Sequence, residues 1–409
     1  MRATAPAGYK SDEKGFDVAA MNDYSIYIHL PFCKTRCAYC DFFSIAATPI
    51  PFEGYLNAVT REWERRRSAF EPFGPLRSLY IGGGTPSLWP AELLCELLGR
   101  FALHAETEVT VEVNPRDADR AWFQAVVRAG VNRFSVGVQS LDDERLRFLG
   151  RTHTARDGRI AVETAVSSGA RSVSGDLIYG TPGQTAEGLS KELRDLMSCG
   201  VSHVSAYELT IAEETPLGRR QQQGDRVKAG EHQLTALYRT VRETLADADF
   251  AQYEISNWAR ERHRSVHNIS YWQGGLYCGL GAFAHGFFIS EPEQTRTRYG
   301  NGNLVDAYID DVLSSEAPTA SHLGKNGFTE QISDLDHARE RVMLGLRTAD
   351  GVAFEEILPW VPPGGGLPAR WRAEATRLQA EGWVRIQDGR LLPTAEGLLR
   401  ADGLAERFF

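Results

Sequence analysis

The chain reads as an α/β protein: a partial (β/α)6 barrel of the TIM type, followed by a smaller C-terminal α+β domain shaped like a winged helix. Three observations predict this. From Ser25 to about Leu209, strand-like and helix-like runs alternate six times. Residues with chemical capability recur near the C-terminal end of each of those strands. Beyond about Gln331 the pattern changes to helix, helix, hairpin and helix.

The strands are expected at Ser25–Leu30, Ser78–Ile81, Glu108–Val113, Arg133–Val138, Ser172–Ile178 and His203–Leu209. The apolar spacing predicts helices over Tyr55–Phe70, Ala91–Leu103, Arg120–Ala129, Arg156–Ser168 and Glu187–Ser198. Gly130, Gly169 and Gly200 stand where a C-cap glycine closes three of them. Six βα units imply a parallel sheet, open or curled. The special residues decide between the two. Cys33, Cys37 and Cys40 follow the first strand, and Gly82-Gly83-Gly84-Thr85 follows the second. Glu112 and Asn114 end the third, Gln139 ends the fourth, and Asp176 and Tyr207 come late in the fifth and sixth. Such residues share one mouth only if the sheet curls; an open sheet would gather them at one switch point.

Residues 210–330 predict a helix over Val227–Ala246, a short strand at Ala251–Ile255, then a loop rich in Asn, His, Trp, Tyr and Gly through Gly286. That stretch reads as a lid or second binding surface. The C-terminal part predicts helices Leu335–Leu346 and Ala369–Glu381, strands Trp383–Ile386 and Arg390–Leu392 about the turn Asp388-Gly389, and a last helix from Thr394. Its mixed charges and lack of a basic stripe favour packing or partner docking over DNA binding. The expected division is 1–22 as a disordered segment, 23–330 as the barrel with an appended binding region, and 331–409 as the winged-helix-like domain. Met21, just before the first strand, is a candidate natural start.

Of 409 residues, 42% are hydrophobic and 24% charged, the balance of an ordinary globular protein. A net charge of −9 excludes a general nucleic-acid surface. No window approaches the ~18 apolar residues of a membrane span. Six cysteines in so long a chain make no disulfide framework; Cys95, Cys199 and Cys278 are scattered singly. Met1 to Asp23 lack the apolar core of a secretion signal, so a cytoplasmic location is expected, with peripheral membrane association open.

The triplet Cys33-Lys-Thr-Arg-Cys37-Ala-Tyr-Cys40 carries the chemistry. Three thiolates so spaced can hold three irons of a four-iron cluster and leave the fourth bare. The alternative is a structural zinc site with His29 as fourth ligand, although zinc ribbons show two separated pairs and no second pair exists here. Gly82 to Ser87 lacks the Lys of a phosphate loop and reads instead as a cradle for a ligand's polar end. Glu112, Gln139 and Asp176 suit ribose hydroxyls or an ammonium, with a solvated strand end as the plain alternative for Glu112. Arg151 and His153 precede a helix start where an anion can bind, unless Thr152 or Thr154 is simply its N-cap. His267, opening His-Asn-Ile-Ser-Tyr-Trp, is either a hydrogen-bonded structural histidine, which physics alone favours, or a haem ligand. His285 and His263 are weaker candidates for the second role.

The cysteine spacing resembles that of the radical S-adenosylmethionine (SAM) proteins. Tyr27-Ile-His-Leu-Pro-Phe-Cys33 through Phe42, Gly82 to Ser87, Gly130-Val-Asn-Arg, Gly137-Val-Gln-Ser, Leu149-Gly-Arg-Thr-His, Asp176-Leu-Ile-Tyr-Gly and Tyr253-Glu-Ile-Ser-Asn together resemble the oxygen-independent coproporphyrinogen III oxidase family. The match runs from about Tyr24 to the C-terminus. Phe42 stands where the true oxidases carry a further cysteine, and His267 to Trp272 match a motif linked with haem in the haem-chaperone branch; the chain is more similar to that branch. The resemblance implies that Cys33, Cys37 and Cys40 ligate a [4Fe-4S] cluster. It implies that Tyr27, Tyr39, Gly83, Gly84, Thr85, Glu112, Gln139, Arg151 and Asp176 line the SAM site and that His267 meets haem. The implied role is delivery of haem to client haemoproteins such as respiratory-chain enzymes, which need not be catalysis. The rival is oxidative decarboxylation of coproporphyrinogen III. Thr181, where relatives commonly have Leu, departs from the pattern without removing a ligand.

Overall fold

The computed structural model of the chain describes residues 23–290, 295–314, 324–362 and 364–409. The N-terminal segment 1–22, expected to be disordered, and Met21 within it lie outside the described residues. Six parallel strands follow the sequence closely: β1 (Tyr24–Leu30), β2 (Leu76–Gly83), β3 (Glu108–Val113), β4 (Arg133–Gln139), β5 (Ser172–Tyr179) and β6 (His203–Glu208). They lie side by side in chain order. A doubly wound sheet would reverse direction at its first strand; this one does not, and right-handed crossovers then place every helix on one face. The result is the partial (β/α)6 barrel.

The two faces differ in chemistry. Ile26, Ile28, Leu79, Ile81, Val111, Phe134 and Val136 turn towards the helices and are fully buried; each such side chain contributes roughly 1.5–3 kcal/mol by leaving water. The alternate residues face inward. Tyr27 lies beside Tyr80, His29 beside Gly82, Glu112 beside Ser135 and Ser135 beside Ser174. Parallel strands buried on both sides read as unbroken apolar runs. These alternate apolar and polar, so the concave face is a lined surface. Gly130, Gly169 and Gly200 close their helices with positive φ, as expected.

Residues 210–330 are not the loop-built lid that the Asn-, Tyr- and Gly-rich composition predicts. After β6 come helices Pro216–Gln222 and Glu231–Ala246 and the antiparallel pair β7 (Ala251–Glu254) and β8 (Asn257–Ala259), with β8 against β6. Helix Val266–Trp272 follows, and β9 (Leu276–Leu280) then pairs parallel to β1 on its open side. β10 (His285–Ser290), β11 (Thr295–Gly300) and β12 (Phe328–Ile332) continue antiparallel. Among the described residues, one twelve-stranded sheet thus runs β12-β11-β10-β9-β1-β2-β3-β4-β5-β6-β8-β7. Glycines at 279, 281, 286 and 300 hid these strands from a propensity reading. They are tied to the barrel by buried Glu62, which accepts from Arg66 Nε at 2.8 Å, Tyr308 Oη at 2.7 Å, Asn301 Nδ2 at 2.8 Å and the Gly281 amide at 2.8 Å.

The C-terminal part has its own core of Val342, Leu346, Trp371, Leu378, Leu391 and Phe408. Helices Asp334–Gly345 and Leu367–Ala380 and the hairpin Val384–Gln387/Arg390–Pro393 match the predicted order. A third short strand, Val352–Ala353, completes the wing.

Candidate functional site

The cysteine loop leaves the C-terminal end of β1. Cys33 ends a two-residue strand, Phe32–Cys33, paired to Ile45–Ala46, so the eleven-residue excursion between them is closed at its base. Its middle is pinned by Ala38, whose amide donates to Leu149 O at 3.1 Å and whose carbonyl accepts from Leu217 N at 2.9 Å. All three thiols are free and partly exposed. Thr85 Oγ1 donates to Cys33 Sγ at 3.4 Å, and Arg151 Nη1 to Cys37 Sγ at 3.2 Å. Among the described residues no three His, Cys, Asp or Glu side chains form a group that could close on one metal ion. In a four-iron cluster each thiolate binds a different iron.

The glycine triplet braces the cysteine loop. A Cβ on Gly84 would lie 2.6 Å from Phe32 O, and one on Gly83, at φ 110°, would lie 2.7 Å from the His29 ring. Three amides of this turn are engaged within the protein: Gly83 N donates to Glu112 Oε2 at 3.2 Å, Gly84 N to Leu30 O at 2.8 Å and Thr85 N to Phe32 O at 2.8 Å. Only glycine lets β2 approach so closely the segment that carries Cys33.

Around this mouth stand the other candidates. Glu112 accepts from Tyr80 Oη at 2.9 Å; burial pushes its carboxyl up to about 7, against the lowering effect of that bond. Asp176 accepts from Ser135 Oγ at 2.7 Å and Ser174 Oγ at 2.8 Å, and burial raises it as well. Arg151 reaches Asn114 Oδ1 at 2.5 Å and Gly137 O at 3.1 Å, bridging the ends of β3 and β4 to Cys37. Gln139 holds φ 64°, an uncommon left-handed state for a residue with a side chain, and its amide folds back over Gly137. Tyr39 packs with Leu149, Ile178, Leu209 and Leu217 under the loop. Tyr27 Oη lies 3.1 Å from His29 Nδ1. Tyr80 was missed by the sequence reading, although a period-two count along β2 puts it on the inner face, as one along β1 does for His29.

Two candidates lie elsewhere. His153 is buried, with Nε2 2.9 Å from Val138 O, and burial lowers it to about 4. Thr154 caps helix Ala155–Ser167 in a capping box with Asp157, so the plain N-cap reading holds there and no anion is needed. His267 sits at the opposite, N-terminal end of the barrel. Its Nδ1 is 2.8 Å from Ser78 Oγ, its Nε2 is 3.2 Å from Tyr271 Oη, and it is 2% exposed. Burial lowers it to about 3. Neither nitrogen is open to an iron in this arrangement.

Residues 27–196 match the Radical SAM superfamily model and 332–400 match the HemN C-terminal domain. The chain is 33% identical over 390 residues to the heme chaperone HemW of Mycobacterium tuberculosis, covering 93% of each. The chain belongs to the HemW family. It is also 34% identical over 303 residues to HemW of Escherichia coli, covering 72% of this chain and 79% of that one. Radical S-adenosyl methionine domain-containing protein 1, mitochondrial, of Bos taurus is 33% identical over 394 residues, covering 93% of this chain and 86% of that protein. In fold it is similar to the coproporphyrinogen III oxidase HemN of Escherichia coli, with a TM-score of 0.77 at 20% identity over 96% of this chain and 92% of that one. Membership of the radical SAM superfamily implies a four-iron cluster and SAM. Among the described residues no helix is long and apolar enough to cross a membrane.

Proposed function

We propose that this chain is a haem chaperone: it binds a [4Fe-4S] cluster, SAM and haem, and passes haem to client haemoproteins such as respiratory-chain enzymes. The observation that carries this is the relation to HemW proteins along 93% of the chain, with three free thiols at one mouth. Cys33, Cys37 and Cys40 would hold the cluster, which when bound supplies an open iron and an electron. Arg151 places a guanidinium 3.2 Å from Cys37 Sγ and ties that thiol to the ends of β3 and β4. Glu112 and Asp176 offer acceptors for the hydroxyls and ammonium of SAM, and Gln139, Tyr27, Tyr39, Gly83, Gly84 and Thr85 complete the proposed lining. Phe42, 68% exposed beside Cys40, leaves the loop without a further thiol. We place the protein in the cytoplasm, with membrane contact only peripheral. If haem meets His267, Ser78 and Tyr271 must first release its ring.

The fold shared with the oxidase HemN keeps a second reading in view, decarboxylation of coproporphyrinogen III. One experiment separates them. Anaerobic protein given reductant, SAM and coproporphyrinogen III is expected to yield no protoporphyrinogen, while haem-loaded protein transfers haem to an apo-haemoprotein. Protoporphyrinogen formation would replace the chaperone reading. Cys33→Ala is expected to purify without the roughly four irons of the reconstituted wild type.

A further inference from the structure

We propose that His285 is the axial ligand through which haem iron attaches to this chain, with the porphyrin lying against Phe283 and Phe328. The assignment rests on the haem-binding reading above and names the residue that does the binding.

The histidines divide by what their nitrogens already do. His267 and His29 each have both nitrogens within hydrogen-bond distance of a partner, as does His203, with Ser174 Oγ and Tyr253 Oη at 2.8 Å. His285 is exposed and has no hydrogen-bond partner among the described residues. It is also the one exposed histidine among them with aromatic rings beside it. Phe283 lies 5.7 Å away between ring centroids and Phe328 lies 5.3 Å away, edge-on at 84°. Partial burial and the Arg298 guanidinium hold the imidazole below its ordinary value, which keeps it neutral for a metal.

The flanking rings are placed against their own preference. Phe283 is 42% exposed and holds φ 64°, a strained state for a bulky residue that costs about 1–3 kcal/mol. It persists because the turn is fixed at three successive amides: Gly281 N on Glu62 Oε2 at 2.8 Å, Ala282 N on Tyr55 Oη at 2.8 Å and Phe283 N on Gly302 O at 2.9 Å. Phe328 is 39% exposed and lies over Gly300, where a Cβ would be 2.3 Å from its ring. Large apolar rings left in water beside an unpartnered imidazole ask for a flat apolar occupant that carries a metal. Lys325, exposed three residues before Phe328, has the sign that haem propionates need.

The register makes this surface continuous with the mouth. Tyr27 pairs with Gly279, Tyr277 with Phe287, and His285 with Gly300, which pairs in turn with Phe328. Paired residues share a face, so the barrel's inner face runs on to His285. Phe283 also stacks 4.8 Å from Phe43, three residues past Cys40. Haem seated there would adjoin the cysteine loop.

Haemin titration of the full chain tests this by absorbance and electron paramagnetic resonance. His285→Ala is expected to weaken binding at least tenfold and abolish the histidine-ligated signature, with iron–sulfur content and melting transition unchanged. Phe328→Ala should weaken binding less and keep the signature. Wild-type affinity and spectrum in His285→Ala would overturn the assignment while leaving the chaperone reading intact. Loss of the signature in a folded His267→Ala variant would also overturn it. No saturable binding by the wild type would remove both the assignment and the reading beneath it. If Phe328→Asp blocks client association but not haemin binding, the face is a protein-docking surface and the proposal fails.

Discussion

The two ends of the barrel hold similar residues to opposite purpose. At the N-terminal end, Ser25, Ser78, His267 and Tyr271 form one chain of hydrogen bonds. Glu108, 3% exposed, caps helix Val266–Trp272 by accepting from the amides of Val266 and His267 at 3.0 Å each. Every partner is inside the protein. At the C-terminal end, the thiols, Glu112 and Asp176 are only partly covered, two carboxyls are pushed up by burial, and Gln139 is backbone-strained. A closed network of buried polar groups stabilises and orients a plug. A half-open one stores binding capacity. Kind of residue does not separate the two ends; satisfaction does.

The largest effect should come from breaking the closed end. Glu108→Ala removes the acceptor of a buried helix N-terminus and is expected to cost about 3 kcal/mol in urea unfolding. A loss under about 1 kcal/mol would mean the plug is held by packing alone.

Acid should sharpen the contrast next. His267, at about 3, lies below the ordinary 6.5 in the folded chain. The unfolded chain then binds more protons between roughly pH 3 and 6.5, so stability falls as pH drops through that window. His267→Gln should be less stable than wild type at pH 7 and lose less between pH 7 and 5. Equal losses would take His267 out of the closed network.

Glu112, at the open end, should respond with the reverse sign to His267 and more weakly. Glu112, raised from 4.5 to about 7, binds more protons folded than unfolded in that range. Its contribution favours the folded state at low pH and fades as pH rises from 4.5 through 7. Glu112→Gln should flatten that part of the stability profile and weaken SAM binding at pH 8, where the carboxylate is charged. Unchanged SAM affinity would leave Glu112 only a brace between Tyr80 and the Gly83 amide.

Much of this was legible in advance. The six strands, their order and the cysteine loop follow from alternation and spacing, because a βα unit writes its period into about thirty contiguous residues. Asp176 and Glu112 could be placed at the mouth by counting from strand starts. The face of His267 could not. Its motif sits in a seven-residue helix, and only the packing of that helix across β1, β2 and β3 turns it towards Ser78. The β9–β12 extension was equally hidden, since its pairing with β1 joins residues some 250 positions apart.

The chain's order of residues alone determined the barrel, the thiol triplet and the wing, all of which rest on local periodicity and short spacings. Tertiary structure decided which histidine is closed and which is open, and that the sheet continues past β1. Those depend on contacts between distant segments, where loop closure and burial, rather than local propensity, set the outcome.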